Sequence, residues 1–188
     1  MEIVGIDLAA KPTRCSGYAV IKRINNSYIV NELACLYLDD DIIGKIANLK
    51  PYVVVIDAPI MREPKMRDVD RLMIKLGFKV FPPSFSWMKE LSRRAYALVN
   101  RISHYGIKVL ETHPRSALRS SGLDDVITLC AKLNVSIASP MIEKVKRSRD
   151  LRDALISALV GLCYIRGDCL RVVRGREGVI YLISRLPT

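Results

Sequence analysis

The 188-residue sequence contains no glutamine and no uninterrupted apolar run of 18 residues. The second absence argues against a membrane-spanning helix, which needs about 20 predominantly apolar residues. The first hints at a thermophilic source, a hint that six methionines and five cysteines do not support. The cysteines, Cys15, Cys35, Cys130, Cys163 and Cys169, are odd in number, and no two have C-x-x-C spacing. This speaks against a disulfide framework and a zinc ribbon. Buried free thiols in a reducing cytoplasm are the expectation. Met1 to Asp7 runs straight into a strand-like pattern, with no basic stretch and long apolar segment, so no signal peptide is expected. Repeats, low-complexity tracts and interdomain linkers are also missing. One domain over 1–188 is therefore expected.

What is abundant is positive charge. Thirty Lys and Arg stand against nineteen Asp and Glu, a formal net charge of +11. Such a surplus points to a polyanionic partner, nucleic acid before a membrane surface. Half of the residues are hydrophobic, enough for a core without disulfides or structural metal.

Apolar residues over 3–9, 18–21 and 28–38, joined by short turns, predict three strands in an antiparallel meander. A helix follows Asp39-Asp40-Asp41, where the acids suit an N-cap and the positive end of the helix dipole. The β-branched run over 52–58 predicts a central strand covered on both faces. Helices are expected over 64–76 and 88–105, with a loop over 78–87 between them and a strand over 107–112 after them. Short helices are expected near 115–120 and 124–133, an irregular or helical stretch over 140–149, and a buried helix over 150–165. A hairpin at about 169–185 closes the chain. The fold class implied is α/β, a mixed central sheet with helices on both faces.

Three apolar strands end in acids, at Gly5-Ile6-Asp7-Leu8, Val55-Ile56-Asp57-Ala58 and Val109-Leu110-Glu111-Thr112. An ionised carboxylate in an apolar strand is costly unless it is paired or coordinates a cation. If the strands are parallel neighbours, the acids gather along one sheet edge, where open α/β sheets place ligand sites. Crowded carboxylates relieve their repulsion with shared protons or divalent cations, and oxygen-only donors favour Mg²⁺ or Mn²⁺. Asp150 and Asp153, three apart at the start of the last long helix, lie on one side of it. They suit metal ligation and helix capping equally.

The motifs Gly5-Ile6-Asp7-Leu8-Ala9, Ser16-Gly17-Tyr18-Ala19, Ile56-Asp57-Ala58-Pro59, Glu111-Thr112-His113-Pro114 and Asp153-Ala154-Leu155 occur in this order. The chain thereby resembles the domain of unknown function 429 family of predicted nucleases, within the ribonuclease H-like superfamily. Its Asp-x-x-Asp helix resembles the RuvC-type branch. The resemblance implies a metal-dependent nuclease that leaves 5′-phosphate and 3′-hydroxyl ends. Asp7 would be shared by two metals about 3.5–4 Å apart, with Asp57 second, Asp153 and Asp150 on the helix, and Glu111 a further candidate. The wider superfamily often carries Glu where this chain has the shorter Asp57.

Basic residues near these acids, Arg62, Arg67, Arg71, Lys146, Arg147 and Arg149, are candidates for binding a nucleic-acid backbone. His113 is a candidate proton shuttle. Phe81, Phe85 and Trp87 suit either base stacking or packing of a loop onto the core. Two other functions fit the pattern less closely. A phosphotransferase or ATPase of the actin and sugar-kinase type would have a Gly-rich phosphate turn where this chain has Ala9-Ala10-Lys11-Pro12-Thr13. A noncatalytic nucleic-acid-binding domain would have no need of the acids.

Overall fold

The computed structural model of the chain describes residues 1–82 and 85–187. Strands β1 (Glu2–Asp7), β2 (Ser16–Ile24) and β3 (Ser27–Leu36) form the antiparallel meander. Asn25 takes a positive φ of 53° at the β2–β3 turn, a conformation that Asn tolerates. Helix α1 (Asp39–Leu49) leads to β4 (Val53–Asp57), parallel to β1. Helices α2 (Asp68–Lys75) and α3 (Ser86–Ser103) lead to β5 (Lys108–Thr112), parallel to β4. There follow α4 (Pro114–Ser121), α5 (Val126–Lys132), β6 (Val135–Ser136), α6 (Ser139–Arg147), α7 (Arg149–Arg166) and the hairpin β7 (Leu170–Arg174) and β8 (Val179–Ile183). The mixed sheet runs β6-β3-β2-β1-β4-β5-β8-β7.

Strand alternation divides the core in two. Ile3, Val53, Val55 and Leu110 face α7, whose residues from Asp153 to Cys163 are all buried. Val4, Ile6, Val54 and Ile56 face the opposite layer, with Ile42 and Ile46 of α1 and Leu98 and Ile102 of α3. Helices therefore cover both faces, as the sequence predicts.

Several details depart from expectation. Residues 64–67 stay outside α2, because Arg67 is its N-cap, bonded to Asp70. The two-residue β6 has no sequence signature. The Asp39–Asp41 side chains make no N-cap hydrogen bond. They lie in the first turn of α1, where Asp39 pairs with Arg94 and Asp40 with Arg101 of α3. The free-thiol expectation fails for four cysteines. Cys15 bonds to Cys35 and Cys163 to Cys169, with Cα separations of 5.1 and 5.0 Å, and only Cys130 is free and buried. The β2–β3 register, which sets Gly17 opposite Cys35, brings Cys15 to its partner. The chain reversal after α7 does the same for Cys163 and Cys169. With these pairs made, thiols no longer argue for a reducing compartment. Among the described residues no helix is long and apolar enough to cross a membrane.

Candidate metal centre

Parallel pairing of β1 and β4 sets Asp7 directly beside Asp57. In-register neighbours on parallel strands share a face, and this one is the face covered by α7. The helix reaches it because two strand positions lack a side chain. A Cβ on Gly5 would meet the Ala154 carbonyl oxygen at 2.1 Å. A Cβ on Gly17, which pairs with Asp7, would meet the Asp150 carbonyl oxygen at 2.1 Å. The first turn of α7 therefore rests on the sheet backbone beside Asp7, and Asp150 and Asp153 come with it.

Neither Asp150 nor Asp153 is the N-cap of α7, although Asp150 lies in its first turn. Ser148 is the N-cap of α7, its Oγ accepting from the Leu151 N–H at 3.3 Å. Asp153, only 3 % exposed, accepts from Arg149 Nε at 3.2 Å and Arg152 Nε at 3.3 Å. No hydrogen bond or ion pair to the carboxylates of Asp7, Asp57 or Asp150 occurs among the described residues. Their electrostatics reflect this. Burial, then the charges of Asp153 and Asp150, push the Asp7 carboxyl up to about 7. Burial, then Asp7 and Asp153, hold Asp57 well above the ordinary carboxylate range.

Glu111 stands apart. In the β4–β5 register it pairs with Ile56, not Asp57, one residue out of step with the aspartate pair. It accepts from Arg67 Nη1 at 2.9 Å and Nη2 at 2.5 Å, and from the Ile60 N–H at 2.9 Å. Arg67, 4 % exposed, also bonds Asp70. It is a buried tie between α2 and β5, not an exposed phosphate contact. Burial nevertheless lifts the Glu111 carboxyl above its usual range, against the pull of Arg67.

The acids open into a cleft of about 1060 Å³ whose walls include Lys11, Arg14, Arg115 and Arg119. Sequence reasoning did not single out these four. Nor did it single out Arg152, although its place beside Asp153 was a signal. Arg149 is exposed at the cleft, Lys146 and Arg147 lie on the last turn of α6 leading to it, and Arg62 is exposed in the loop after β4. Arg71 is exposed on the outer side of α2. His113, the N-cap of α4, holds Ser116 Oγ at 2.6 Å through Nδ1, and burial depresses its pKa to about 4. Phe81, Phe85 and Trp87 are about half exposed. Phe81 and Trp87 meet edge to face at 5.5 Å on the cleft wall, so they do not pack into the core. Pro83, between them, lies outside the described residues.

In kind, the donors suit a hard divalent cation: they are all oxygens, and three of the four aspartates have no partner among the described residues. In arrangement, they are not yet converged. Among the described residues no three acidic, imidazole or thiol groups are gathered closely enough to hold an ion. Asp153 is turned instead towards its two arginines.

No family model matches the chain, and no curated protein matches it. Solved structures do. Thermus thermophilus RuvC in complex with a Holliday junction substrate superposes with a TM-score of 0.56 at 15 % identity, covering 89 % of this chain and 97 % of that one. The fold is ribonuclease H-like. A second structure of Thermus thermophilus RuvC gives a TM-score of 0.51 at 14 % identity, covering 89 % of this chain and 96 % of that one.

Proposed function

We propose that this protein is a metal-dependent nuclease that hydrolyses nucleic-acid phosphodiester bonds where β1, β4 and α7 meet. One observation carries the reading: Asp7 and Asp57 lie side by side at adjacent strand ends, half-buried, without a hydrogen-bond or ion-pair partner among the described residues, and near two more aspartates. Such charge is costly to retain without a cation to neutralise it. The order of motifs, which resembles that of the domain of unknown function 429 family although no family model matches the chain, supports the reading. So does the likeness in fold to RuvC, one of whose structures holds a Holliday junction substrate.

Asp7, Asp57 and Asp153, with Asp150, would hold Mg²⁺ or Mn²⁺. Bound there, the cation would supply a Lewis acid for the phosphodiester and a water of lowered pKa. The rest falls to the chain. Asp7 and Asp57 release the protons that burial and mutual repulsion keep on them. Asp153 leaves Arg149 and Arg152, which are then free to face phosphate oxygens. Lys146, Arg147 and Arg62 extend the positive approach. His113, neutral because burial depresses its pKa to about 4 and anchored by Ser116, is a weak base and belongs to the cleft wall. Glu111 stays with Arg67 as part of the cleft wall. By resemblance, the products carry 5′-phosphate and 3′-hydroxyl ends.

A second reading, a nucleic-acid-binding domain without catalysis, is favoured by the pairing of Asp153 with two arginines. One assay separates the two. End-labelled single-stranded, duplex and four-way-junction DNA, and the matching RNAs, are incubated with the protein and Mn²⁺. Cleavage that requires the metal and disappears in Asp57→Asn supports the nuclease. Cleavage that survives in Asp57→Asn refutes the mechanism. Binding that chelator does not change, with every substrate left intact, favours the second reading.

A further inference from the structure

On the outer side of α2, away from the aspartates, a second concavity of about 570 Å³ lies between the helix and the β7–β8 turn. Asp68, Arg71, Leu72 and Lys75, at helical spacing, form one wall, and Arg176 and Glu177 of the turn form the other. Its acids are already engaged. Asp68 Oδ1 accepts from the Glu177 N–H at 2.8 Å and the Val69 N–H at 3.0 Å, and Oδ2 accepts from the Arg176 N–H. These backbone donors hold the Asp68 carboxyl below its usual range. Glu177 pairs with Lys65 at 2.5 Å. Its cations are not engaged. Arg71, Lys75 and Arg176 are exposed, and none makes an ion pair among the described residues. The turn is anchored through backbone N–H groups and a neighbouring lysine, which leaves three unpaired cations converging on one hollow.

We propose that this hollow is a second phosphate-binding site, which grips the backbone of the nucleic-acid strand whose cleavage the aspartates perform. The inference rests on the nuclease reading. Spacing supports the link. Arg67 and Asp70, on the inner side of the same helix, line the acid cleft. One helix diameter, about 10 Å, separates the two sides. A strand with one phosphate per ~3.4 Å of axis crosses that distance in about three nucleotides. A strand leaving the acid cleft around the N-terminus of α2 therefore meets Arg71, Arg176 and Lys75 in turn. The site reads charge and not sequence.

The test is a triple variant, Arg71→Ala, Lys75→Ala, Arg176→Ala. Arg176 contributes to the turn through its backbone, so the clamp survives the substitution, and an unchanged melting curve checks this. Binding of a fluorescein-labelled 30-base-pair DNA duplex is measured in EDTA between 50 and 200 mM salt, for wild type, the triple variant and Asp7→Asn. The proposal expects weaker binding by the triple variant and a log–log salt slope shallower by roughly 2.7, from roughly 0.9 per lost phosphate contact on duplex. Asp7→Asn should keep the wild-type slope. A triple variant with wild-type affinity and slope overturns the second site, whatever Asp7→Asn does to cleavage. A shallower slope in the triple variant, together with undiminished cleavage by Asp7→Asn, keeps the site and removes the metal mechanism.

Discussion

Replacing Gly17 with alanine tests how the candidate site is assembled. The new Cβ would lie 2.1 Å from the Asp150 carbonyl oxygen, 2.5 Å from its carbon and 3.1 Å from the Ala154 Cβ. Ordinary contact begins near 3.4 Å, so the first turn of α7 must lift by about 1.3 Å. The obstacle is helix backbone, which cannot rotate aside as a flexible side chain can. Overpacking of this kind costs about 1–3 kcal/mol. In a domain of this size that lowers Tm by roughly 2–12 °C, at about 2–4 °C per kcal/mol. The effect on function should be larger than the effect on stability. The displaced turn carries Asp150 and adjoins Asp153, and a misplacement of about 1 Å at a reacting centre can cost on the order of 100-fold in rate. Gly44→Ala is the control. It lies within α1 with nothing within 4 Å of an added Cβ, and should raise stability by about 0.5–1 kcal/mol. Thermal melting, Mn²⁺ titration and cleavage assays on the two variants give the answer. A Gly17→Ala protein that melts, binds Mn²⁺ and cleaves like wild type would refute the reasoning.

Four further outcomes follow from other parts of the structure. Arg67→Met leaves Glu111 and Asp70 buried without their cation and should destabilise the fold by about 3–5 kcal/mol in urea unfolding; a loss below about 1 kcal/mol would mean the network is not formed. The folded pKa of Asp7, about 7, lies above its unfolded value near 3.8, and Asp57 is shifted in the same direction. Their contribution to stability is thus fully present below pH ~4 and lost as pH rises towards 7, so the metal-free protein should lose stability across this window relative to Asp7→Asn. Saturating Mn²⁺ should stabilise more at pH 8 than at pH 5, because binding requires the deprotonated acids. Reduction, or Cys15→Ser with Cys163→Ser, opens loops of 20 and 6 residues and should cost about 3 and 2 kcal/mol respectively; unchanged chemical denaturation after reduction would show that the bonds contribute nothing.

The parts of this architecture legible in the sequence were those written in local pattern. The β-branched run ending at Asp57 and the apolar start ending at Asp7 gave both strands, and their motif order implied that the two were neighbours. The apolar surface of α7 announced a buried helix. What stayed hidden depended on register and on distant partners. Glu111 looks like a third equivalent strand-end acid, but pairing with Ile56 puts it one residue out of phase with Asp57. Its true partner, Arg67, is 44 residues earlier in the chain. That Ser148, and neither Asp150 nor Asp153, caps α7 was equally hidden. The Cys15–Cys35 bond likewise follows from how β2 lies against β3, which cysteine spacing does not encode.

The central claim, that Asp7 and Asp57 bind a divalent cation used for cleavage, is tested most directly by calorimetric titration of Mn²⁺ at pH 8. Wild type, Asp7→Asn and Asp57→Asn are compared, each with its melting curve. The account predicts saturable binding by wild type, with uptake of metal accompanied by proton release, and loss of that binding in both folded variants. Equal Mn²⁺ binding by all three proteins would contradict it.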